Sequence, residues 1–249
     1  MRKLGILGGV GWRSTADYYA EFCRRCEERA GSPAAPALSI ESLSEDEAVS
    51  RLGVDGDELS WERFDAYHRE GLRRLEGSGA EFAIIASNTP HHRFASIVRG
   101  VGIPVINLFE VAAGECARLG AREVLILGTA LTMRSEVFRR AFAERGIEAA
   151  GPEDAAAREA VAAVIGHLQQ GRDQGAAARI RGIARRERFR GPGPRLVCLA
   201  CTELPLAFPN RGPAAKFESG GMTYLNPTAA HVAAAFDYAV AGGGGVSGA

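Results

Sequence analysis

The chain has 249 residues, of which 46% are hydrophobic and 24% are charged. This length and composition are typical of a soluble globular protein with room for one large α/β domain or two smaller lobes. Thirty basic side chains balance thirty acidic ones, so the formal net charge is zero. A neutral chain has no general field that attracts phosphate backbones or anionic lipid, which argues against nucleic-acid and membrane-surface roles.

No apolar run approaches the roughly 20 residues that cross a bilayer. The first residues, MRKLGILGG, interrupt their apolar stretch with glycines, which is typical of a strand and not of a signal peptide. The chain has five cysteines, an odd number. We therefore expect free thiols and a cytoplasmic location.

Short apolar runs alternate with longer amphipathic segments along the chain. The predicted strands are Lys3–Leu7, Ala37–Ser42, Phe82–Ala86, Val105–Leu108, Val124–Leu127 and Leu196–Leu199. The predicted helices are Ser14–Glu28 (with Ser14 or Thr15 as N-cap), Trp61–Glu76, a segment ending at Leu119, Met133–Glu144, Arg158–Gln170 and Gly175–Arg188. This alternation predicts an α/β fold whose parallel sheets are covered on both faces. The sequence GPGP at residues 191–194 predicts a rigid turn. The glycine-rich residues 241–249 are expected to be disordered.

Small polar residues or glycines follow four of the predicted strands. They are Gly8–Gly11, Ser87–Thr89, Gly128–Thr129 and Cys201–Glu203. Ligands of open α/β sheets bind beyond the carboxyl ends of the strands, so we expect these four segments to converge on one crevice.

The first of these segments, Gly8–Gly11, follows a strand and opens a helix, as phosphate-binding loops do. Its spacing matches neither G-x-G-x-x-G nor a P-loop. A tight turn that needs glycine explains part of the pattern. The same turn can also present backbone N–H groups to an anion such as a substrate carboxylate.

The cysteines include two C-x-x-C pairs, Cys23 with Cys26 and Cys198 with Cys201. The pairs fall on different predicted elements, which disfavours both a zinc site and a thioredoxin-like redox pair, so no metal is expected. We interpret Cys23, Cys26, Cys116 and Cys198 as small buried apolar residues. Cys201 differs because it lies between a strand and a predicted short helix, where N–H groups stabilise a thiolate. It is therefore a candidate base or nucleophile.

Four segments, GILGGVGWRSTADYY, ASNTPHH, LGTALTMRS and ACTELPL, occur in this order between about Lys3 and Tyr238. Together they resemble the aspartate/glutamate racemase family of cofactor-independent enzymes. The resemblance implies two pseudo-symmetric flavodoxin-like lobes with parallel sheets, an active site in the cleft between them, and a homodimer. The expected lobes are residues 1–112 with 215–240, and residues 113–214, followed by the tail at 241–249.

The resemblance also implies roles for individual residues. In the family two cysteines face each other across the substrate. Cys201, with Thr202 and Glu203, matches the second of them, whereas Ser87 occupies the position of the first. The residues expected to contact the substrate are Gly9, Val10, Asn88, Thr89, Thr129, Thr132, Thr202, Glu203 and His231. Trp12 stands where relatives have proline.

Racemisation needs a base on one face of the α-carbon and an acid on the other. A serine hydroxyl is a poor base unless a neighbour activates it. His91 and His92 follow Ser87 closely, although a surface or helix-start position is the expectation for both. Arg13 either pairs with a distal substrate carboxylate or faces solvent.

Three functions therefore remain open. The first is racemisation of a small, acidic amino acid or dicarboxylate by Cys201 and Ser87. The second is one-thiol decarboxylation or isomerisation of a malonate-type acid, and the third is ligand binding without chemistry. No pyridoxal, nucleotide or metal cofactor is expected for any of them.

Overall fold

The structure of the chain is a computed structural model that describes residues 1–33, 35–54, 56–187 and 195–241. The predicted turn at 191–194 lies outside the described residues, as does the predicted tail apart from Ala241, which ends a helix. No helix among the described residues is both long enough and apolar enough to cross a membrane.

The described strands are β1 (Leu4–Gly8), β2 (Leu38–Ser42), β3 (Phe82–Ile85), β4 (Val105–Ile106), β5 (Glu123–Gly128), β6 (Glu148–Ala150), β7 (Leu196–Ala200), β8 (Lys216–Ser219) and β9 (Met222–Leu225). The described α-helices are α1 (Trp12–Ala30), α2 (Glu45–Ser50), α3 (Glu62–Gly77), α4 (Phe94–Ile97), α5 (Leu108–Arg118), α6 (Ala130–Arg134), α7 (Glu136–Ala143), α8 (Ala155–Gln169), α9 (Ala176–Arg186) and α10 (Pro227–Ala241). Short 3₁₀ helices occupy Glu58–Trp61, Thr89–Arg93 and Leu204–Ala207.

The chain divides into two compact units. The first comprises Met1–Asn107 and the chain from His231 onward, and the second comprises Leu108–Ala230. This division differs from the expected lobes, which placed 108–112 and 215–230 in the first. The physical reason is that β9 pairs with β7 in register and β8 pairs with β9, so this hairpin extends the second sheet.

The first unit contains a four-stranded sheet in the order β2-β1-β3-β4, with every pair parallel. On one face Leu4 and Ile6 pack with Tyr18 and Phe22 of α1 and with Val232 of α10. The opposite face is covered by α3. Gly71 of this helix lies so close to the sheet that an added Cβ would approach Leu7 Cδ1 to 2.5 Å.

The second unit contains a five-stranded sheet in the order β6-β5-β7-β9-β8. Its strands are parallel except for β8, which runs antiparallel to β9. Leu125 and Leu127 pack against α8 and α9 on one face. Val124 and Ile126 pack against α5 and α7 on the other. Both units therefore have the predicted α/β architecture.

All six predicted strands are present with ends within two residues of those expected. The first predicted helix is present and extends two residues further at each end, but its N-cap is Gly11 and not Ser14 or Thr15. One helix prediction was wrong. The predicted helix Met133–Glu144 is two helices, because Ser135 adopts extended φ and ψ angles and its side chain accepts a hydrogen bond from Phe138 N. The sequence prediction also missed β6, α2, α10 and the β8–β9 hairpin.

Candidate active site

The turn after β1 is shaped by close packing against the end of β2. Gly9 has φ of 93°, and a Cβ at this position would lie 2.0 Å from Leu43 O. The Gly9 N–H donates to Thr15 Oγ1 at 2.9 Å. Val10 and Gly11 complete the turn before α1. Arg13 stacks on the exposed Trp12 ring, with its guanidinium carbon 4.5 Å from the ring centroid.

Ser87 and Asn88 follow β3 and precede the 3₁₀ helix Thr89–Arg93. Both are buried. The Asn88 side chain has its amide oxygen and its amide nitrogen buried, and neither has a hydrogen-bond partner among the described residues. Because buried amides are almost always hydrogen bonded, this side chain is suited to a polar ligand.

His91 lies near the start of the 3₁₀ helix that follows Ser87, one of the two positions expected for it, but it is fully buried and not on the surface. Its Nδ1 is 2.8 Å from Ser87 O, and because a carbonyl oxygen only accepts, Nδ1 carries the proton. Burial, aided by the nearby His231, holds the pKa of His91 well below its ordinary value. His92 is partly buried, and burial lowers its pKa to about 4.

His231, expected to contact the substrate, is fully buried on α10. Its Nδ1 is 3.1 Å from Tyr18 Oη, and its Nε2 donates to Ile106 O at 3.0 Å. Tyr18 therefore donates to Nδ1, and both ring nitrogens are engaged by protein atoms. Burial lowers the pKa of His231 to about 4.

In the second unit, Thr129 follows β5 and Thr132 lies in the short helix α6 that begins directly after it. Thr129 is the N-cap of α6, and its Oγ1 accepts from Thr132 N at 3.2 Å. The two hydroxyl oxygens are 3.0 Å apart. Hydroxyl groups are placed here at the carboxyl end of β5, as the sequence predicts.

Cys201 follows β7 directly and is 5% exposed. Its Sγ donates to Glu203 Oε2 at 3.0 Å, and Thr202 Oγ1 donates to the same oxygen at 3.3 Å. Glu203 is itself 5% exposed. The second unit therefore contains a buried thiol that is hydrogen bonded to a buried carboxylate.

The electrostatics of Cys201 differ from the expectation. Burial raises the pKa of the thiol well above its ordinary value, and the charge and hydrogen bond of Glu203 raise it further. Hydrogen bonds from the N–H groups of Glu203 and Leu204 lower this pKa, but by less. The prediction that a helix N-terminus would favour the thiolate was wrong, because only a four-residue 3₁₀ helix follows and burial dominates.

The other cysteines lie within helices and strands. Cys26, Cys116 and Cys198 are buried as expected, whereas Cys23 is partly exposed, and all five thiols are free. Burial raises the pKa of Cys116 to about 12 and that of Cys198 well above its ordinary value. The described part of the chain contains no group of three or more His, Cys, Asp or Glu side chains arranged to hold a metal ion.

Comparison with known proteins gives a consistent result. Residues 7–235 match the family model described as Asp/Glu/Hydantoin racemase. The broad specificity amino-acid racemase RacX of Bacillus subtilis (strain 168) is 25% identical over 148 residues. That match covers 58% of this chain and 62% of RacX, so the aligned part spans less than two thirds of this relative.

Solved structures share the fold over nearly the whole chain. An aspartate racemase homologue from Pyrococcus horikoshii OT3 superposes with a TM-score of 0.76 at 27% identity, covering 96% of this chain and 99% of the other. The Picrophilus torridus aspartate racemase has a TM-score of 0.73 at 18% identity, covering 96% and 94%. Glutamate racemase isoform RacE1 from Bacillus anthracis has a TM-score of 0.64 at 16% identity, covering 98% and 83%.

Proposed function

Because this chain belongs to the Asp/Glu/Hydantoin racemase family, we propose that it is a cofactor-independent amino-acid racemase acting at the α-carbon of a small, acidic amino acid. The family match and the names of the relatives, which include a broad specificity amino-acid racemase and an aspartate racemase homologue, support racemase chemistry. The acidic side chain of the substrate is inferred from the aspartate and glutamate of the family description.

The observation that carries the proposal is the hydrogen bond from Cys201 Sγ to Glu203 Oε2. In the resting protein the thiol is protonated, which makes Cys201 an acid that can deliver a proton to one face of a planar carbanion. In the reverse direction the thiol proton moves to Glu203 Oε2, and the thiolate then takes the α-proton. A single carboxylate thus lets the same sulfur act as acid and as base.

On the opposite face of the α-carbon we assign the second proton transfer to Ser87. A hydroxyl holds its proton far more tightly than a thiol at neutral pH. Proton abstraction on this face therefore proceeds slowly or through a water that Ser87 orients. The two enantiomers are expected to exchange their α-protons with solvent at different rates, while the equilibrium between them remains one to one.

We assign binding of the α-carboxylate and the amino group to the polar strand-end residues. The unpartnered amide of Asn88 offers both a donor and an acceptor. The hydroxyl groups of Thr129 and Thr132, whose oxygens are 3.0 Å apart, are assigned as further hydrogen-bonding groups for the substrate. The remaining contacts are assigned to Gly9, Val10, Thr89 and Thr202, with Glu203 acting on the thiol.

A one-thiol decarboxylase is the second candidate, because the first unit offers serine in place of a thiol. In that reaction the bond from the α-carbon to a carboxylate breaks, CO₂ leaves, and its electron pair stays on the α-carbon. Cys201 then protonates the resulting enolate, and Glu203 and solvent restore the thiol proton. The raised pKa of Cys201 fits this role as a proton donor.

We further propose that the protein acts as a homodimer in the cytoplasm. Support for an additional contact surface comes from exposed apolar side chains between β2 and α3, namely Val49, Leu52, Val54 and Leu59. Light scattering of the purified protein gives the mass directly. A monomeric mass at micromolar concentration would reject the dimer.

The test of the proposed function is deuterium incorporation from solvent at the α-carbon of each enantiomer of a panel of amino acids. Exchange is expected with acidic substrates, after dialysis against EDTA and without added cofactor. Cys201→Ala should lower exchange by at least about a thousandfold, whereas Cys198→Ala should not affect it. Release of CO₂ from substituted malonates without any amino-acid exchange would instead establish the decarboxylase.

A further inference from the structure

His91 has no role in the function proposed above, yet it is hydrogen bonded to the candidate catalytic serine. Its protonated Nδ1 donates to the main-chain oxygen of Ser87 at 2.8 Å. The ring is completely buried and stacks on Phe94, with centroids 5.7 Å apart and planes inclined by 8°. The imidazole therefore restrains the main-chain carbonyl of Ser87, which lies two residues beyond the end of β3.

A second histidine supports the first from behind. The rings of His91 and His231 meet edge to face, with centroids 5.8 Å apart and an interplanar angle of 76°. His231 is anchored at both nitrogens, to Tyr18 of α1 and to Ile106 of β4. The carbonyl of Ser87 is thus linked through the edge-to-face pair of His91 and His231 to Tyr18 of α1 and Ile106 of β4.

We propose that His91 is a positioning residue that sets the orientation of Ser87, and that His231 acts by supporting His91 instead of binding the substrate. This inference rests on the proposed racemase function for its catalytic consequence. The geometric part, which concerns the tautomers of two buried histidines, is independent of that function.

The chain supplies a matched control in His68. This residue is also buried, at 1% exposure, and its Nδ1 lies 2.9 Å from the carbonyl oxygen of Phe64, four residues earlier. Burial lowers its pKa to about 4. His68 therefore reproduces the bond type and the burial of His91, but it holds a turn of α3 and not Ser87.

The first experiment measures the ratio of solvent-deuterium exchange rates for the two enantiomers. His91→Leu removes the donor. Exchange of the enantiomer whose α-proton is removed on the Ser87 face should slow by about tenfold or more. The exchange rate of the other enantiomer should change by less than about threefold. His91→Asn keeps a donor near the Nδ1 position and should recover at least part of the lost rate. His68→Leu should leave the ratio unchanged even if it destabilises the protein by a similar amount.

Tyr18→Phe keeps the proposal testable if His91→Leu does not fold. It removes one hydroxyl that donates to His231 Nδ1 and preserves the ring, so it should shift the ratio in the same direction by about two- to threefold. An unchanged ratio in His91→Asn and Tyr18→Phe, or an equal shift in His68→Leu, would overturn the positioning role.

The second experiment needs no turnover. Long-range ¹H–¹⁵N correlation spectra of the five histidines report which ring nitrogen is protonated. We expect Nδ1–H for His91 and Nε2–H for His231 at neutral pH. The opposite tautomers would refute the inference even in an active enzyme. If these tautomers are found but no amino acid exchanges its α-proton, the racemase assignment fails, whereas the hydrogen bonds of His91 to Ser87 and of His231 to Tyr18 and Ile106 remain.

Discussion

At the scale of single residues, the pairing of Cys201 with Glu203 decides what the thiol can do. Both are almost completely buried. The Glu203 carboxylate accepts a hydrogen bond from the Cys201 thiol, with Sγ and Oε2 3.0 Å apart. A thiol stabilised in its protonated form is a poor nucleophile but a suitable proton donor. Its role as a base depends on the neighbouring carboxylate.

Replacing Glu203 by glutamine should therefore separate acidity from catalysis. Glu203→Gln removes the charge that raises the pKa of Cys201, so the thiol should titrate at lower pH, although burial still keeps its pKa elevated. Alkylation of Cys201, followed by peptide mass spectrometry, should become about three- to tenfold faster at pH 8. Solvent exchange at the α-carbon should nevertheless fall by about ten- to a hundredfold, because the proton acceptor is lost.

Glu218→Gln is the control for this substitution. Glu218 accepts from Thr223 Oγ1 at 2.7 Å on the surface of the same unit, so it shares the hydroxyl contact without a thiol. Glu218→Gln should change neither the alkylation rate of Cys201 nor the rate of solvent exchange at the α-carbon. If Glu203→Gln left the alkylation profile of Cys201 unaltered, the hydrogen bond would not control the thiol.

Ser87 allows the complementary change. Ser87→Cys places a thiol at the position where the family has its first cysteine, and thiols ionise far more readily than hydroxyl groups. Racemisation should rise by about tenfold, mainly through the enantiomer that exchanges slowly in the wild type. Time courses for each enantiomer in deuterated water test this. Equal exchange of both enantiomers by the wild type, together with no gain in the variant, would remove Ser87 from the reaction.

At the scale of elements, the strands and their polar ends are predictable, whereas interruptions are not. The six apolar runs that were predicted as strands are all strands in the structure. The β8–β9 hairpin has no such run, since its strands are only four residues long and one is largely exposed. The break at Ser135 carries a capping signal, but helix propensity on both sides conceals it.

The candidate active site is also only partly predictable from the sequence. That Ser87, Asn88, Thr129 and Cys201 follow strands is visible in the sequence. The bonds of His231 to Tyr18 and Ile106 join positions 213 and 125 residues apart, so no local pattern contains them. The direction in which the pKa of Cys201 shifts likewise depends mainly on burial, which a local sequence pattern does not show. The expectation that N–H groups would lower this pKa therefore failed.

The turn between β1 and α1 is where packing most strongly fixes one residue type. Gly9→Ala would place Cβ 2.0 Å from Leu43 O and would also force alanine to a φ of 93°. Gly31→Ala is the matched control, because Gly31 has φ of 67° but no atom within 4 Å of the added Cβ. Denaturant unfolding should show a loss of about 1 kcal/mol for Gly31→Ala and at least about 3 kcal/mol for Gly9→Ala. Similar losses would show that the contact with Leu43 relaxes easily.

At the scale of the whole molecule, three fully buried histidines couple stability to pH. His68, His91 and His231 are at most 1% exposed. Burial lowers the pKa of His68 and of His231 to about 4, and that of His91 well below its ordinary value. In the unfolded chain each titrates near 6.5. The unfolded state therefore binds protons that the folded state excludes once the pH falls below about 6.5.

The sign follows from this difference. Because the unfolded state binds more protons in acid, the contribution of these histidines to the free energy of unfolding should be constant above about pH 7 and should fall between about pH 6.5 and 4. A histidine whose pKa moves from about 6.5 to about 4 costs about 2 kcal/mol of stability at pH 5.

Urea unfolding at pH 7.5 and at pH 5 measures the loss. His68→Leu should reduce the difference between the two pH values by about that amount. A free energy of unfolding that is the same at both pH values would show that the buried histidines accept protons without disrupting the fold.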